Sequence, residues 1–193
     1  KMTEYQLSPW SLADLFPAID APEVEASFKD LEAKAAAFEQ RRSVLTAEID
    51  FEEFMDVIKE IEVMTIEGSR LATFPGMLFA ADTQNQDVQS LYARVQQFVA
   101  KVQNLTLFFS LWWKDLDSAK AEYLMNLSDG YRYWLEEMRH FKPHTLTEAE
   151  EKIINIKDVT GTQALVTLYD SITNRYAFKV EVDGEVKEFT RGQ

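Results

Sequence analysis

One uninterrupted pattern, residues 86–116, constrains the fold of this chain more than any other feature. Its apolar positions alternate spacings of three and four residues, which places them along one side of an α-helix for four heptads. These positions are Val88, Leu91, Val95, Phe98, Val102, Leu105, Phe109, Trp112 and Leu116. The pattern predicts a long helix with one side buried, and therefore a helical body.

The preceding segment, from Asp50 to about Asp82, is predicted to be a second long helix. Its first half has a broad apolar face, formed by Phe51, Phe54, Met55, Ile58, Ile61 and Met64. Only a short polar link, residues 83–85, separates the two helices, so we expect a long antiparallel helical hairpin. Pro75 and Gly76 lie inside the second pattern and predict a kink or a break there.

Shorter helices are predicted on both sides of this hairpin. Apolar residues at helical spacing predict a helix from Glu23 to Leu45. Thr147 and Glu150 have the spacing of a capping box and predict a helix start. The remaining predicted helices are Ser118–Asn126, Asp129–Phe141, Thr147–Val159 and Thr162–Asn174.

The C-terminal residues predict a β-hairpin. Asp183 and Gly184 separate two strand-like runs, which is the pattern of a two-residue hairpin turn. Apolar residues alternate on one face of the first strand, namely Tyr176, Phe178, Val180 and Val182. The predicted fold class is therefore mostly α, with a long antiparallel helical hairpin, shorter helices and a C-terminal β-hairpin. A lone hairpin is marginally stable in water, so this one is expected to pack on helices or on further sequence.

These elements predict a single helical lobe over residues 1–193. An irregular lead-in, residues 1–22, is expected to lie along the outside of the helical body, residues 23–175, and residues 176–190 form the hairpin. The apolar anchors of the lead-in are Trp10, Leu12, Leu15 and Phe16. Because the chain finishes just after the hairpin, we expect it to be a fragment of a larger protein.

Composition excludes several functional classes. The net charge is −13, which disfavours binding to nucleic acids and to anionic membranes. Cysteine is absent, so neither disulfides nor thiolate metal sites are possible. No apolar secretory segment opens the chain, and no apolar run reaches the ~20 residues of a membrane helix. These features predict a cytoplasmic location.

No residue of the chain is assigned a catalytic, cofactor-binding or metal-binding role. His140 and His144 are four residues apart, but Pro143 lies between them and should end the helix that would bring them together. Glu137 and His140 match half of a di-iron carboxylate motif, and no second copy exists. Glycine-rich phosphate loops, nucleophile elbows and His-Glu-x-x-His are also absent from the sequence.

The segment from Leu105 to Trp113 is apolar on every side of the predicted helix. Leu107, Phe108, Leu111 and Trp113 add to the residues of the buried side. Two interpretations remain open: the segment is buried in the core, or it forms a surface that docks a partner or the rest of a longer polypeptide.

Several motifs carry a family resemblance in their order and spacing. They are Trp10-x-Leu12-x-Asp14-Leu15-Phe16, the stretch from Leu71 to Thr83 that ends Phe79-Ala80-Ala81-Asp82-Thr83, Arg139-His140-Phe141-Lys142-Pro143-His144-x-Leu146-x-Glu148-x-Glu150-Glu151-Lys152-Ile153, Thr160-Gly161, Leu168-Tyr169 and Val182-Asp183-Gly184-Glu185. Together they resemble the N-terminal region of the oligoendopeptidase F family, which are zinc peptidases related to thimet oligopeptidase.

The resemblance implies a mostly helical enzyme that cleaves short peptides in a deep cleft between lobes. In that family one zinc is held by His-Glu-x-x-His and a later Glu, all within the C-terminal half. This chain would then be the non-catalytic N-terminal lobe, which walls the cleft and supports the catalytic lobe. Its partners would be that lobe and short peptide substrates, and the chain alone should hold no zinc. A self-contained helical scaffold or adaptor for protein–protein interaction is the alternative.

Overall fold

The structure is a computed structural model that describes residues 11–182 and 184–190. Its elements in chain order are α1 (Pro22–Phe38), α2 (Phe51–Ala81), α3 (Gln86–Asp115), α4 (Ser118–Leu127), α5 (Arg132–His140), α6 (Glu148–Asp158), α7 (Ala164–Thr173), β1 (Ala177–Val182) and β2 (Glu185–Thr190). The predicted fold class is confirmed. The predicted roles of Trp10 and Asp183 fall on residues outside the described part.

The antiparallel pair α2–α3 forms the centre of the fold, as predicted. Side chains cap both helix starts. The Asp50 carboxylate accepts a hydrogen bond from the Glu53 amide at 2.8 Å, and the Asn85 side chain accepts one from Val88 at 3.2 Å. The predicted break at Pro75 is wrong, because α2 continues through that residue to Ala81. Pro75 lies in the middle of α2 and its side chain is fully buried. The packing of that side chain compensates for the backbone N–H donor that proline lacks.

The predicted first helix is also too long at its end. α1 finishes at Phe38, and residues 39–43 form a 3₁₀ turn instead. The Ser43 hydroxyl donates to the Gln40 carbonyl at 3.0 Å, which favours the tighter turn over continued α-helix. The turn redirects the chain toward the start of α2.

Trp113 lies at the centre of the larger of two apolar cores. Its side chain is fully buried, stacks on Phe54 at 5.3 Å between ring centroids, and donates its indole N–H to the Leu135 carbonyl at 2.9 Å. This core joins α1, α2, α3, α4 and α5. It therefore unites every helix that precedes α6.

The second core lies under the segment before α1. Phe16 is buried and meets Phe74 edge-to-face at 5.3 Å, while the Arg70 guanidinium lies 4.4 Å from the Phe16 ring. Arg70 also donates to the Leu15 carbonyl at 3.0 Å. Part of the predicted lead-in is thus fixed to α2 by a buried aromatic ring.

None of the described helices is both long enough and apolar enough to cross a lipid bilayer.

Candidate docking surface

Residues 148–173 form one continuous helix that runs antiparallel to α3. α6 and α7 are joined by a single π-helical turn, residues 159–163, rather than by a loop. Near its start, the Asn155 side-chain amide donates to the side-chain oxygen of Asn104 in α3 at 2.9 Å. Beyond its end, Arg175 donates to the Gln84 side chain in the α2–α3 link at 2.7 Å. We call residues 148–173 the long C-terminal helix.

The side of the long C-terminal helix that faces the body is mostly polar. Val159 is the single large apolar side chain among its half-buried residues, and no side chain in α6 or α7 is fully buried. The half-buried residues are Glu148, Glu151, Lys152, Asn155, Val159, Gly161, Thr167, Asp170, Ser171 and Thr173. Helices of globular proteins normally turn their apolar side toward the body, so the polarity of this helix is inverted.

The opposite side of the same helix is exposed and apolar. Leu165 retains 67% of its accessible surface and Ile153 60%. The exposed apolar residues are Ile153, Ile154, Ile156, Leu165, Val166, Leu168, Tyr169 and Ile172, which we call the outer apolar face. Scattered exposed apolar residues are ordinary on protein surfaces, whereas eight on one helix form a patch of the kind found at interaction sites.

The π-helical turn keeps the two halves of this face in line. An α-helix rotates about 100° per residue, and a π turn adds roughly one residue to the repeat. The apolar residues of α7 are therefore rotated by about 100° relative to an unbroken helix, which brings Leu165 onto the same side as Ile153. Gly161, inside the turn, has no heavy atom near the position of a Cβ, so the site does not require glycine for space.

The β-hairpin continues the exposed apolar surface along the chain. Phe178 pairs with Phe189 across the two strands, and Val180 pairs with Lys187. Phe178 and Val180 lie on one face of the hairpin, as predicted, and both are exposed. Gly184 has φ of +78°, the left-handed conformation that a two-residue hairpin turn requires. The hairpin has no core of its own, since both of its faces remain largely accessible to solvent.

An ion cluster fastens the start of the long C-terminal helix to the body. Arg42, in the 3₁₀ turn, donates two hydrogen bonds to the Glu148 carboxylate at 2.6 and 3.0 Å. Lys152 lies 2.7 Å from the same carboxylate. The hydrogen bonds from Arg42, and then from Lys152, lower the pKa of Glu148 from 4.5 to about 2.

Glu148→Gln is expected to destabilise the chain by about 1 kcal/mol at neutral pH, a value discounted for partial exposure. Because the folded-state pKa is depressed, the contribution is complete above pH 4.5 and disappears as the pH falls through about 2. The measurement is urea unfolding of both proteins across this range. Their stability difference should shrink steadily with acid. The exposed Glu136→Gln control should show a small difference with no such trend, and a constant difference for Glu148→Gln would contradict the prediction.

The structure separates the two interpretations of the segment from Leu105 to Trp113. Phe108, Phe109 and Trp113 are buried, and the other apolar residues of the segment are at least half-buried. Most of the segment is therefore buried in the core, as the first interpretation predicts, and Leu105, Leu107, Leu111 and Trp112 keep part of their surface accessible. The helices α4 and α5 pack around the end of α3 and supply the burial that the sequence pattern did not reveal.

The two histidines do not come together on one helix face. α5 ends at His140, and residues 142–144 form a separate 3₁₀ turn, as Pro143 predicted. His140 lies 3.4 Å from Glu137 on its own helix. Among residues 11–182 and 184–190, no three potential metal-ligating side chains converge.

The inverted helix was not recognised from the sequence, although a signal was present. The capping box at Thr147 is formed as predicted and fixes where α6 begins. If a regular α-helix is assumed from Thr147 onward, the isoleucines of α6 and the leucines of α7 fall on different sides. They fall on one side only when the π turn between them is taken into account. The outer apolar face was therefore not identified in advance.

This architecture is a mostly α-helical body whose long C-terminal helix exposes an apolar face. A family model described as oligopeptidase F matches residues 113–178. The chain also resembles the crystal structure of oligoendopeptidase-F from Enterococcus faecium, with a TM-score of 0.71 and 16% sequence identity. That match covers 88% of this chain and 33% of the other. A comparison with curated proteins found no match.

These comparisons confirm the resemblance to the N-terminal region of oligoendopeptidase F. At this level of identity the structural likeness shows a shared fold. The family match begins at Trp113 and ends in β1, so it contains the long C-terminal helix entirely. This chain spans about a third of the length of the Enterococcus faecium protein.

Proposed function

We propose that this chain is the non-catalytic N-terminal lobe of a zinc-dependent oligopeptidase that hydrolyses short peptides. The lobe walls the substrate cleft and supports a C-terminal catalytic lobe of the same polypeptide. The observation that carries this proposal is the inverted polarity of the long C-terminal helix. An apolar side turned away from its own body is stable when another part of the protein covers it.

The resemblance supplies a candidate for that cover. Oligoendopeptidase-F from Enterococcus faecium is about three times as long as the part this chain matches. The family model matches residues 113–178, the segment that contains the outer apolar face. Burial of apolar surface is worth about 25 cal/mol per Å², so covering this face would contribute substantially to the association of two lobes.

The zinc of such an enzyme would be held elsewhere in the polypeptide. Zinc in a catalytic site takes three protein ligands and leaves one position open. The described residues do not fit that requirement, because no three ligating side chains converge. By resemblance, the His-Glu-x-x-His ligands and the later Glu belong to the catalytic lobe, and no step of peptide hydrolysis is assigned to this chain.

The activity test compares the full-length product of the gene with the 193-residue chain. Both are incubated with a short fluorogenic peptide, with and without a zinc chelator. We expect the longer product to cleave the peptide, the chelator to abolish cleavage, and the chain alone to be inactive. A product that ends near Gln193 and cleaves nothing would instead support the self-contained scaffold.

The lobe contact has its own test in the full-length product. Leu165→Asp places a charge on the outer apolar face, and we expect peptidase activity to fall at least about tenfold because the lobes separate. The matched control is Ile66→Asp, which adds the same charge at an exposed apolar residue of α2 outside that face. In the 193-residue chain, both substitutions should leave stability within about 0.5 kcal/mol of the parent.

Hydrogen exchange gives a second readout of the same contact. Amides of α7 should exchange more slowly in the full-length product than in the 193-residue chain, since local opening exposes the apolar face to water. Equal exchange in the two proteins, or equal loss of activity for Leu165→Asp and Ile66→Asp, would show that this face does not contact a catalytic lobe.

A further inference from the structure

A cavity of about 490 Å³ opens where the end of α3, the 3₁₀ turn and the start of α6 converge. Its volume lies within the range of small-molecule sites in proteins. Phe108, Leu111 and Trp112 provide an apolar floor, and Arg42, Lys114 and Lys142 line the rim. We call this cavity the Trp112 pocket. It is separate from the outer apolar face, which lies on the exposed side of α6 and α7.

The floor of the Trp112 pocket suits a flat or branched apolar group. Phe108 is buried, and Trp112 and Leu111 are half-buried, so each still presents part of its surface to the cavity. The Arg42 guanidinium lies 4.3 Å from the centre of the Phe108 ring and covers one edge of the floor. Aromatic floors of this kind contribute contact area at little cost in side-chain freedom.

The charge at the rim favours an anion despite the acidic character of the whole chain. Glu148 is already paired with Arg42 and Lys152, so the Arg42–Glu148 pair adds little net charge. Lys114 makes no ion pair with any described residue. Lys142 lies 3.8 Å from Asp115, whose side chain is 93% exposed and therefore well screened by water.

Two lysines thus line a pocket with an apolar floor, and the one carboxylate paired with either of them, that of Asp115, is exposed to water. In a chain of net charge −13, such a pocket is a place where the local electrostatic potential favours an anion. A ligand that satisfies both features has an apolar or aromatic group joined to a negatively charged one. The C-terminal residue of a short peptide has this chemistry when its side chain is apolar, because its free carboxylate lies next to that side chain.

We propose that the Trp112 pocket binds the C-terminal carboxylate and apolar last side chain of a short peptide. The identity of the ligand as a peptide rests on the proposed function, whereas binding of an apolar carboxylate does not. Lys114 and Lys142 hold the carboxylate as point charges, and Trp112 contacts the apolar side chain. The pocket would then select peptides by their free C-terminal end.

The test measures binding to the 193-residue chain itself, so it is independent of peptidase activity. The probes are N-acetyl-leucyl-phenylalanine and the same compound with a C-terminal amide. Binding is followed by nuclear magnetic resonance through the indole N–H signal of Trp112, assigned by its loss in Trp112→Phe. We expect the free acid to bind at least about tenfold more tightly than the amide, and added salt to reduce the difference.

The double variant Lys114→Gln/Lys142→Gln should remove the preference for the acid while leaving the fold intact, because both side chains lie at the surface or near it. The matched control, Lys59→Gln/Lys157→Gln, removes the same charge from two exposed lysines elsewhere and should retain the preference. N-acetyl-phenylalanine alone tests whether a free amino acid derivative suffices. Tighter binding of the dipeptide supports a peptide ligand.

Three results would overturn the proposal. They are equal binding of acid and amide, no change in the Trp112 signal at about 1 mM probe, and equal loss of preference in both double variants. If the chain binds the acid but the full-length product has no peptidase activity, the pocket stands and the proposed function fails. If the full-length product has peptidase activity and the chain does not bind the acid, the proposed function stands and the pocket proposal fails.

Discussion

Trp113→Ala is expected to destabilise the chain by about 4–5 kcal/mol, the largest effect of any single substitution considered. The side chain is completely buried between Phe54 and the helices α4 and α5, so truncation leaves a large cavity. It also removes the indole N–H that the Leu135 carbonyl accepts at 2.9 Å, leaving a buried acceptor unpaired. Urea unfolding followed by circular dichroism measures the loss.

Two further variants identify the cause. Trp113→Phe retains an aromatic ring but not the hydrogen bond, and should destabilise by about 2–3 kcal/mol. Trp134→Ala removes the same side chain from α5, where it is 39% exposed and stacks on Phe109 at 6.3 Å. That change should cost about 1 kcal/mol. If Trp113→Ala were no more damaging than Trp134→Ala, Trp113 would not lie at the centre of the core.

The central helical hairpin was predictable because its signal is long and local. The seam of α3 extends over four heptads, and a helix of this length buries a regular set of residues whatever lies around it. Leu91 and Phe109 are both buried, as the pattern predicts. The start of α6 was predictable for the same reason, since a capping box involves only Thr147 and Glu150.

Features that depend on the rest of the fold were not predictable. Pro75 and Gly76 were expected to kink or break α2, and the break does not occur, because buried contacts with the body outweigh the lost backbone hydrogen bond. The apolar end of α3 could be core or surface until the positions of α4 and α5 were known. The outer apolar face requires the π turn at Gly161. Such a turn shifts the apolar periodicity by one residue, which the sequence alone does not distinguish from a loop between two helices.

The dependence on tertiary structure also explains why no catalytic or binding residue was assigned from the sequence. Motif reading detects catalytic and metal-binding residues that are close in sequence. The Trp112 pocket instead combines Arg42 with Lys114 and Lys142, which come from three separate segments. Only tertiary structure brings such residues together, and a pair of isolated lysines in a chain rich in charge gives no signal.

Arg139→Ala is expected to destabilise the chain by about 2–3 kcal/mol, the second largest effect. The guanidinium donates to the Trp113 carbonyl at 2.5 Å and to the Leu116 carbonyl at 3.0 Å. Both carbonyls lie at the end of α3, where backbone acceptors lack partners within the helix. A positive charge there also interacts favourably with the helix dipole. Urea unfolding measures the loss, and hydrogen exchange should show faster opening around residues 112–118.

Arg139→Lys tests whether charge alone accounts for this effect. The planar guanidinium of arginine reaches both carbonyls at once, whereas the single ammonium of lysine does not. Arg139→Lys should therefore retain less than about half of the stability that Arg139→Ala loses. The matched control, Arg132→Ala, removes an arginine from the same helix whose partners, Glu122 and Asn126, are exposed side chains. It should cost less than about 1 kcal/mol. Equal losses for Arg139→Ala and Arg132→Ala would show that Arg139 does not cap α3.

A larger loss for Arg139→Ala than for Arg132→Ala would show that Arg139, Trp113 and Leu135 act as one unit that joins α5 to the end of α3. That unit lies where the oligopeptidase F match begins, and it positions the chain that leads to the outer apolar face.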